Sequence, residues 1–196
     1  MTVLPATKDE WRRQLAAERR AVPAGVRAAE GAAIAGFVRD LLGTVVHAGQ
    51  TVCAYVPVGT EPGSREMLDV LVAGGVQVLL PVVTGRAPLD WAEYDGSLRP
   101  GPHQLLEPVG DRLGPAAVGT ASLVLVPALA VDSGGVRLGR GAGHYDRSLS
   151  QVTPGAILAG LVRDQEFLPR LPFDEHDVRM TAVLTPGRGM IQVTGP

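Results

Sequence analysis

An almost uninterrupted apolar run at residues 122–131, SLVLVPALAV, constrains the fold of this chain more than any other feature. A strand with one face in water alternates apolar and polar residues, whereas a strand buried on both faces reads as continuous apolar sequence. The run therefore predicts a central strand of a sheet that is covered on both sides. Helices are the usual cover for such a sheet, so the expected fold class is α/β.

Alternating segments on either side of this run favour a mostly parallel sheet. Residues 51–56 and 76–80 are apolar and β-branched, and Ser64 is placed to cap a short helix between them that runs through Ala73. Strands joined by a helical crossover pair in parallel, with a right-handed connection. Residues 156–162 and 181–184 are predicted as further strands. Leu89, Trp91 and Tyr94 indicate a more exposed strand, which is followed by a proline-rich loop to about residue 117. The expected architecture is one domain over residues 1–196, with a mostly parallel, open mixed sheet and helices on both faces.

Two helices are predicted before the first strand. Thr7 and Glu10 form a capping-box pattern, which places Lys8 at the first helical position. Trp11 and Leu15 follow at helical spacing, and Pro23 ends this helix or begins the next. The second helix is predicted to end at Gly43 and to turn one apolar stripe toward the core, formed by Val26, Ala33, Phe37 and Leu41.

Charge and cysteine content narrow the possible function classes. The 196 residues carry a formal net charge of −2, which argues against a broad surface for nucleic acid or anionic lipid. Cys53 is the sole cysteine, so no intramolecular disulfide forms, and its apolar neighbours predict a core position. The sequence has neither a signal-peptide pattern nor a long apolar stretch. We therefore expect a cytoplasmic monomer that binds neither nucleic acid nor membrane.

A glycine-rich turn, DSGGVRLGRGAGHYDRSL at residues 132–149, follows the central run. Three glycines alternate in it, Gly139, Gly141 and Gly143. Missing side chains let backbone N–H groups approach an anion, and the guanidinium groups of Arg137 and Arg140 match phosphate oxygens. The G-x-G-x-G spacing is neither the dinucleotide fingerprint nor a Walker loop. The turn therefore predicts a phosphate site, and the alternative is a plain connection between strand and helix.

Four sequence blocks, in order along the chain, carry a resemblance to a known family. They are Lys8-x-x-x-Arg12, Tyr55-Val56-Pro57 followed by Glu61, VPALAVD at 126–132 with RLGRGAGHYD at 137–146, and RDQEFLPRLPFDEHDVRMTAVLTP at 163–186. Together they span nearly the whole chain and resemble the 5-formyltetrahydrofolate cyclo-ligases, also called 5,10-methenyltetrahydrofolate synthetases. One block alone would be weak evidence, whereas four in the right order are specific.

The resemblance implies an ATP-driven cyclisation of 5-formyltetrahydrofolate to 5,10-methenyltetrahydrofolate, with release of ADP and phosphate. The formyl oxygen attacks the γ-phosphate of ATP, N10 attacks the activated carbon, and phosphate leaves. Such chemistry requires neutralisation of charge on the transferred phosphoryl group more than it requires a protein nucleophile. ATP and the folate are the small molecules that the resemblance implies, with Mg²⁺ as the cofactor.

The resemblance also implies roles for the matched residues. Lys8 and Arg140 are the predicted catalytic residues, at the transferred phosphate. The predicted ATP-binding residues are Lys8, Arg12, Arg137, Leu138, Gly139, Arg140, Gly141, Ala142, Gly143, His144 and Tyr145. The predicted folate-binding residues are Val56, Glu61, His103, Arg140, Gly141, Gly143 and His144. Asp146 and Asp177 are the predicted Mg²⁺ ligands, because this cation takes one or two carboxylates besides water and phosphate oxygens.

Two positions depart from the family pattern. Ala142 stands where members have glycine or lysine, so it offers no side-chain contact to phosphate. His144 replaces a common tyrosine, which alters stacking on the pterin or introduces a pH-sensitive donor. Neither departure removes a charge that the reaction requires, and we expect activity to survive.

Each polar residue also has a structural interpretation. The alternatives are a solvated charge for Lys8, an exposed loop charge for Glu61, a helix cap for Asp146, a surface acid beside His176 for Asp177, and buried packing for Tyr145. Lys8 is the one lysine beside seventeen arginines. A GC-rich genome explains that ratio, but it does not explain why the single lysine stands at a capped helix start in a K-x-x-x-R pattern.

Two other function classes remain open at this point. One is a non-catalytic homologue that binds folate or a nucleotide and regulates another process. The other is a phosphosugar isomerase or CoA-transferase-like enzyme, which would bind phosphate at the same loop without consuming ATP. Asp146 and Asp177 favour the catalytic hypothesis, because a homologue that only binds a ligand has little reason to keep carboxylates suited to Mg²⁺.

Overall fold

A seven-stranded mixed sheet forms the centre of the fold in the computed structural model, which describes residues 5–85, 87–101, 105–175 and 177–193. Two residues considered above, His103 and His176, lie outside the described residues. The strands are β1 (Thr51–Cys53), β2 (Gln77–Val82), β3 (Asp90–Glu93), β4 (Leu98–Pro100), β5 (Leu106–Pro108), β6 (Ala121–Pro127), β7 (Ala130–Asp132), β8 (Arg137–Leu138), β9 (Ile157–Leu161), β10 (Phe167–Leu168), β11 (Ala182–Thr185) and β12 (Gly189–Gln192).

The strand order in the central sheet is β12-β11-β9-β6-β1-β2-β3. The inner pairs are parallel, and only the edge strands β3 and β12 run antiparallel to their neighbours within the described chain. Strand β6 lies in the middle, so the predicted central strand is confirmed. The apolar run of residues 122–131 is nevertheless split, because the chain leaves the sheet after Pro127 and enters a second, three-stranded sheet of order β10-β7-β8.

Helices cover both faces of the central sheet, as predicted. They are α1 (Lys8–Ala21), α2 (Ala24–Leu41), α3 (Arg65–Ala73) and α4 (His144–Leu149). Helices α2 and α3 pack on one face, where their buried residues share a core with β1, β2 and β6. The other face is covered by α4 and by a 3₁₀ helix at Pro115–Thr120. Helix α1 packs through Trp11 and Leu15 against the small sheet.

No described helix is by itself long and apolar enough to cross a membrane, although α1 and α2 together, bent by 102° at their break, meet the criterion on length and composition.

The predicted apolar stripe of α2 is wrong. Val26 is exposed, Ala33 and Phe37 are half-buried, and of the four predicted residues only Leu41 is buried. The buried side is formed instead by Gly31, Ile34, Ala35, Val38 and Leu41. Gly31 explains why this side of α2 is the buried one. A Cβ at Gly31 would lie 3.1 Å from Ser64 Cβ, so the missing side chain allows the segment that leads into α3 to pack closely. The helix also ends at Leu41, two residues before the predicted Gly43.

The predicted exposure of the third strand is also wrong. Leu89, Trp91 and Tyr94 are all buried, although β3 is at the edge of the sheet. The segment after β3 covers that edge, since Leu113 donates a backbone hydrogen bond to Trp91 O at 2.8 Å. What the sequence indicates as a loop up to residue 117 thus contains the β4–β5 hairpin and the start of the 3₁₀ helix.

Gly135, in the turn between β7 and β8, is predicted to tolerate no side chain. Its φ is +81°, and a Cβ would overlap the carbonyl oxygen of Met180. We expect Gly135→Ala to lower the free energy of unfolding by about 3–5 kcal/mol, because backbone strain and overlap add. The matched control is Gly96→Ala, at φ +100° but with nothing near the added Cβ, which should cost about 1–2 kcal/mol. Equal losses in urea unfolding of the two variants would contradict this account.

Candidate active site

A cavity of about 720 Å³ opens at the carboxyl ends of β6, β1 and β2. Strand β1 is shorter than predicted, since it ends at Cys53 although Ala54 N still donates to Leu79 O, and the segment that follows lines the cavity through Tyr55, Val56 and Glu61. Ligands of open α/β sheets bind at this edge, and the volume is typical of a small-molecule site. Every predicted site residue that the structure describes lines this cavity, and His103 is the one prediction outside the described residues.

Helix α1 brings two cations to the cavity. The capping box forms as predicted, since Glu10 N donates to Thr7 Oγ1 at 3.3 Å and Thr7 N to Glu10 Oε2 at 3.1 Å. Lys8 is therefore the first helical residue, and Arg12 lies one turn later on the same side. Arg12 Nε donates to Gly139 O at 3.0 Å, which ties the helix to the glycine-rich turn.

The ammonium group of Lys8 lies between two carboxylates. Lys8 Nζ donates to Asp174 Oδ2 at 2.7 Å and to Asp177 Oδ2 at 2.6 Å. Partial burial lowers the pKa of Lys8, but the hydrogen bonds and charges of the two aspartates outweigh it and raise the pKa above its usual value. Lys8 is thus a paired cation in the site rather than a solvated terminal charge.

The glycine-rich turn forms a loop around the guanidinium of Arg137. Arg137 Nη2 donates to Asp146 Oδ1 at 2.8 Å, and its guanidinium lies 5.7 Å from the centre of the Tyr145 ring. Gly143 is the N-cap of α4 and has φ +69°, and no side chain caps this helix, so Asp146 is not its cap. Burial raises the pKa of Tyr145, which keeps its hydroxyl neutral.

Glu61 and Arg140 form an ion pair across the cavity. Arg140 Nη2 lies 3.0 Å from Glu61 Oε1, and Val58 N donates to Glu61 Oε2 at 2.9 Å. The side chain of Glu61 is 12% exposed whereas that of Arg140 is 61% exposed, so the arginine is the partner with freedom to move. Glu61, which is predicted to bind the folate, is thus in direct contact with Arg140, which is predicted to act at the transferred phosphate.

Three cavity residues with charged side chains were missed by the sequence interpretation. They are Arg19, Glu107 and Asp174. Asp174 lies three residues before Asp177, and this D-x-x-D pattern could have indicated a second acidic residue at the site. Arg19 has the periodicity of the buried side of α1, where an arginine is unexpected. Glu107 carries no signal beyond its place before Pro108.

Several buried polar atoms on the cavity wall have no hydrogen-bond partner among the described residues. They are Glu107 Oε1, Arg137 Nε and Tyr145 Oη. Buried polar atoms are normally paired, and unpaired ones in a cavity are typical of contacts that a ligand completes. The lining is also balanced in charge, since five basic side chains (Lys8, Arg12, Arg19, Arg137, Arg140) face five acidic ones (Glu61, Glu107, Asp146, Asp174, Asp177) in the described part.

Comparison with known proteins gives consistent matches over most of the chain. Residues 5–186 match the sequence profile of the 5-formyltetrahydrofolate cyclo-ligase family. A 5-formyltetrahydrofolate cyclo-ligase of Mycolicibacterium smegmatis is 46% identical over 193 residues, which cover 95% of this chain and 97% of that one. A cyclo-ligase of Escherichia coli is 26% identical over 147 residues, covering 70% of this chain and 79% of that one.

Solved structures show that the fold is shared as well. The 5,10-methenyltetrahydrofolate synthetase of Aquifex aeolicus superposes with a TM-score of 0.75 at 22% identity, over 96% of this chain and 94% of that one. The synthetase of Mycoplasma pneumoniae superposes with a TM-score of 0.71 at 18% identity, over 90% of this chain and 96% of that one. At these identities the structures establish the fold, and the sequence matches establish the family.

Proposed function

This chain belongs to the 5-formyltetrahydrofolate cyclo-ligase family, and on that premise we propose that its cavity cyclises 5-formyltetrahydrofolate to 5,10-methenyltetrahydrofolate while ATP is converted to ADP and phosphate. The observation that carries the proposal is the convergence of Lys8, Arg12, Arg140 and the glycine-rich turn on one cavity beside Glu61. These groups come from distant parts of the chain. A monomeric state stays a prediction. A cytoplasmic location stays a prediction.

The reaction transfers the γ-phosphoryl group and then closes a ring. The formyl oxygen attacks the γ-phosphorus as the bond to ADP breaks. N10 then attacks the activated formyl carbon and loses its proton, and the carbon–oxygen bond to phosphate breaks to leave the methenyl bridge. Negative charge develops on the phosphoryl oxygens in the first step and on the leaving phosphate in the last. Cations fixed in place before the reaction lower both barriers.

Lys8 and Arg140 are the proposed cations at the transferred phosphate. Both are held by carboxylates in this structure, Lys8 by Asp174 and Asp177 and Arg140 by Glu61. Because the lining has as many acidic as basic side chains, a phosphate must replace these carboxylates as the partner of the cations. Arg12 and Arg137 are placed to hold the remaining phosphates, since each is anchored on the loop through Gly139 O or Asp146.

Mg²⁺ fits this arrangement through Asp146 and Asp177. Mg²⁺ usually binds one or two carboxylates together with water and phosphate oxygens, so two carboxylates beside a phosphate suffice for it. Both carboxylates lie on the cavity wall, where Asp146 accepts from Arg137, and Asp177 accepts from Lys8 and from the backbone N–H of Asp174. Bound there, Mg²⁺ would neutralise phosphate charge and leave Lys8 and Arg137 free to turn to the nucleotide.

A spectroscopic assay tests the proposed function. Purified protein is mixed with 5-formyltetrahydrofolate, ATP and Mg²⁺, and the near-ultraviolet absorption of the methenyl product is followed together with ADP. We expect one ADP per methenyl group and no product without ATP. Product formed without ATP would contradict the proposed ATP-dependent reaction, and absence of both product and folate binding would favour the isomerase-like alternative. A folded protein that binds both substrates but forms no product, beside an active M. smegmatis relative, would establish the non-catalytic alternative.

Asp177→Asn is expected to weaken the Mg²⁺ dependence of the reaction. Loss of one carboxylate should raise the Mg²⁺ concentration for half-maximal rate by roughly 10–100-fold. The matched control is Asp174→Asn, which removes the other carboxylate on Lys8 and should leave the Mg²⁺ titration unchanged. The titration is run at saturating ATP in both variants, and equal shifts in the two would show that Asp177 acts through Lys8 alone.

A further inference from the structure

Glu107 is a buried carboxylate on the cavity wall that the phosphate chemistry does not use. It lies in β5, its residue is 6% exposed, and its Oε1 atom has no hydrogen-bond partner in the described chain. A buried charged oxygen without a donor is destabilising, so its retention calls for a donor that arrives from outside the protein.

The hairpin around Glu107 provides space but no partner. Arg99 lies directly opposite in the β4–β5 register, yet the two residues form no ion pair within the described segments. Gly101 leaves room for the carboxylate, because a Cβ there would come within 2.7 Å of Glu107 Cγ and Cδ. The side chain is therefore confined against the hairpin while its Oε1 atom remains without a donor.

The surroundings of Glu107 differ from those of the phosphate groups. The apolar residues Pro81, Val83, Leu89, Leu105 and Leu106 line the same cavity, and β5, which carries Glu107, packs against β2. Glu107 thus lies on the β2 side of the cavity, where apolar side chains contribute to the wall.

We propose that Glu107 binds the pterin ring of the folate, accepting hydrogen bonds from the 2-amino group and N3–H. This inference rests on the proposed function. A carboxylate between apolar walls suits a flat heterocycle that presents two neighbouring donors at one edge. The 5-formyl group lies across the bicyclic ring from that edge, so an anchored edge leaves the formyl oxygen toward the phosphate side. Glu61 is less suited to this contact, because Val58 N already donates to its Oε2 and its Oε1 lies beside Arg140, one of the proposed cations at the phosphate.

The test compares Glu107→Met with wild type in equilibrium binding of 5-formyltetrahydrofolate without ATP. We expect the Kd of the folate to rise roughly 10–100-fold, as for loss of a hydrogen bond to a buried charge, with the KM for ATP unchanged. Thermal stability should be unchanged or higher, because the variant removes an unpaired buried oxygen. The matched control is Glu93→Met, an exposed glutamate on β3 that should alter neither constant.

A folate analogue in which hydrogen replaces the 2-amino group isolates the contact. Wild type should bind the analogue more weakly than the natural folate, whereas Glu107→Met should bind the two nearly equally. An equal penalty in both proteins would overturn the proposal, as would unaltered folate affinity of Glu107→Met. If that variant does not fold, Glu107→Leu, which also lacks an acceptor oxygen, carries the same comparison. Binding is read without turnover, so a failure of the proposed ATP-dependent reaction is seen separately, as absence of the methenyl product from wild type.

Discussion

Replacing Lys8 by methionine is expected to lower kcat/KM for ATP by roughly 100- to 1000-fold, the usual loss when a preorganised group at developing charge is removed. Lys8 Nζ is placed by the capped start of α1, and its two aspartate partners hold the ammonium at the cavity wall. Methionine keeps the length of the side chain and the helix propensity but removes the charge. We therefore expect the melting temperature to change little, with a stability loss of about 1 kcal/mol or less.

Two variants on the same helix control this prediction. Lys8→Arg keeps the positive charge but replaces a compact ammonium group by a planar guanidinium group, and it should retain only part of the wild-type activity. Arg13→Met, on the exposed side of α1, should leave the kinetics unchanged. If Lys8→Met unfolds the protein, then Lys8 is structural and the catalytic assignment is wrong.

The pH dependence of Lys8 follows from the direction of its pKa shift. The aspartates raise the pKa above the usual 10.5, so Lys8 is charged throughout the neutral range. Its ion pairs stabilise the folded state fully below that usual value, and the contribution is lost as the pH rises through the raised pKa. Comparison of Lys8→Met with wild type should therefore show a stability difference that is flat near neutral pH and vanishes in strong alkali.

Replacing Arg19 by methionine is expected to lower the free energy of unfolding by about 3–5 kcal/mol, measured by urea unfolding. Arg19 Nε and Nη2 each lie 2.7 Å from an oxygen of Glu166, and Nη2 also donates to Ala128 O at 2.6 Å. Both side chains of the ion pair are almost fully buried. Without Arg19, the Glu166 carboxylate stays buried beside Arg163 alone, which donates its backbone N–H at 2.8 Å. The variant should also raise the KM for ATP, because Arg19 anchors the helix that carries Lys8 and Arg12.

A second substitution separates the cost of an unpaired charge from the value of the ion pair. Arg19→Met with Glu166→Met should regain a large part of the lost stability, because no buried charge is left without its partner. The exposed ion pair of Arg39 and Glu66, at 3.7 Å, provides the matched control. Arg39→Met should cost less than about 1 kcal/mol. A double variant as unstable as Arg19→Met would contradict the explanation by charge burial.

Local patterns in this sequence predicted local structure well. The Thr7–Glu10 capping box, the helix that ends at Gly74, and the turn at Gly143 each depend on residues close in sequence, and all three are present. The side of α2 that faces the core was predicted wrongly, because a glycine contact with the α3 segment decided it. The burial of β3 was also missed, since the segment that covers the edge is itself irregular.

The sequence by itself determined the class of fold and the family, and it predicted the loop that would meet phosphate, because each of these depends on short runs of adjacent residues. Only the tertiary structure decided which charges meet: Lys8 with Asp174 and Asp177, Arg140 with Glu61, and Glu107 with none among the described residues. Such pairs join residues as far as 169 positions apart, and no local pattern encodes their contact. The single lysine shows the division clearly, since its place at the helix start is local, whereas its two carboxylate partners depend on how the chain packs.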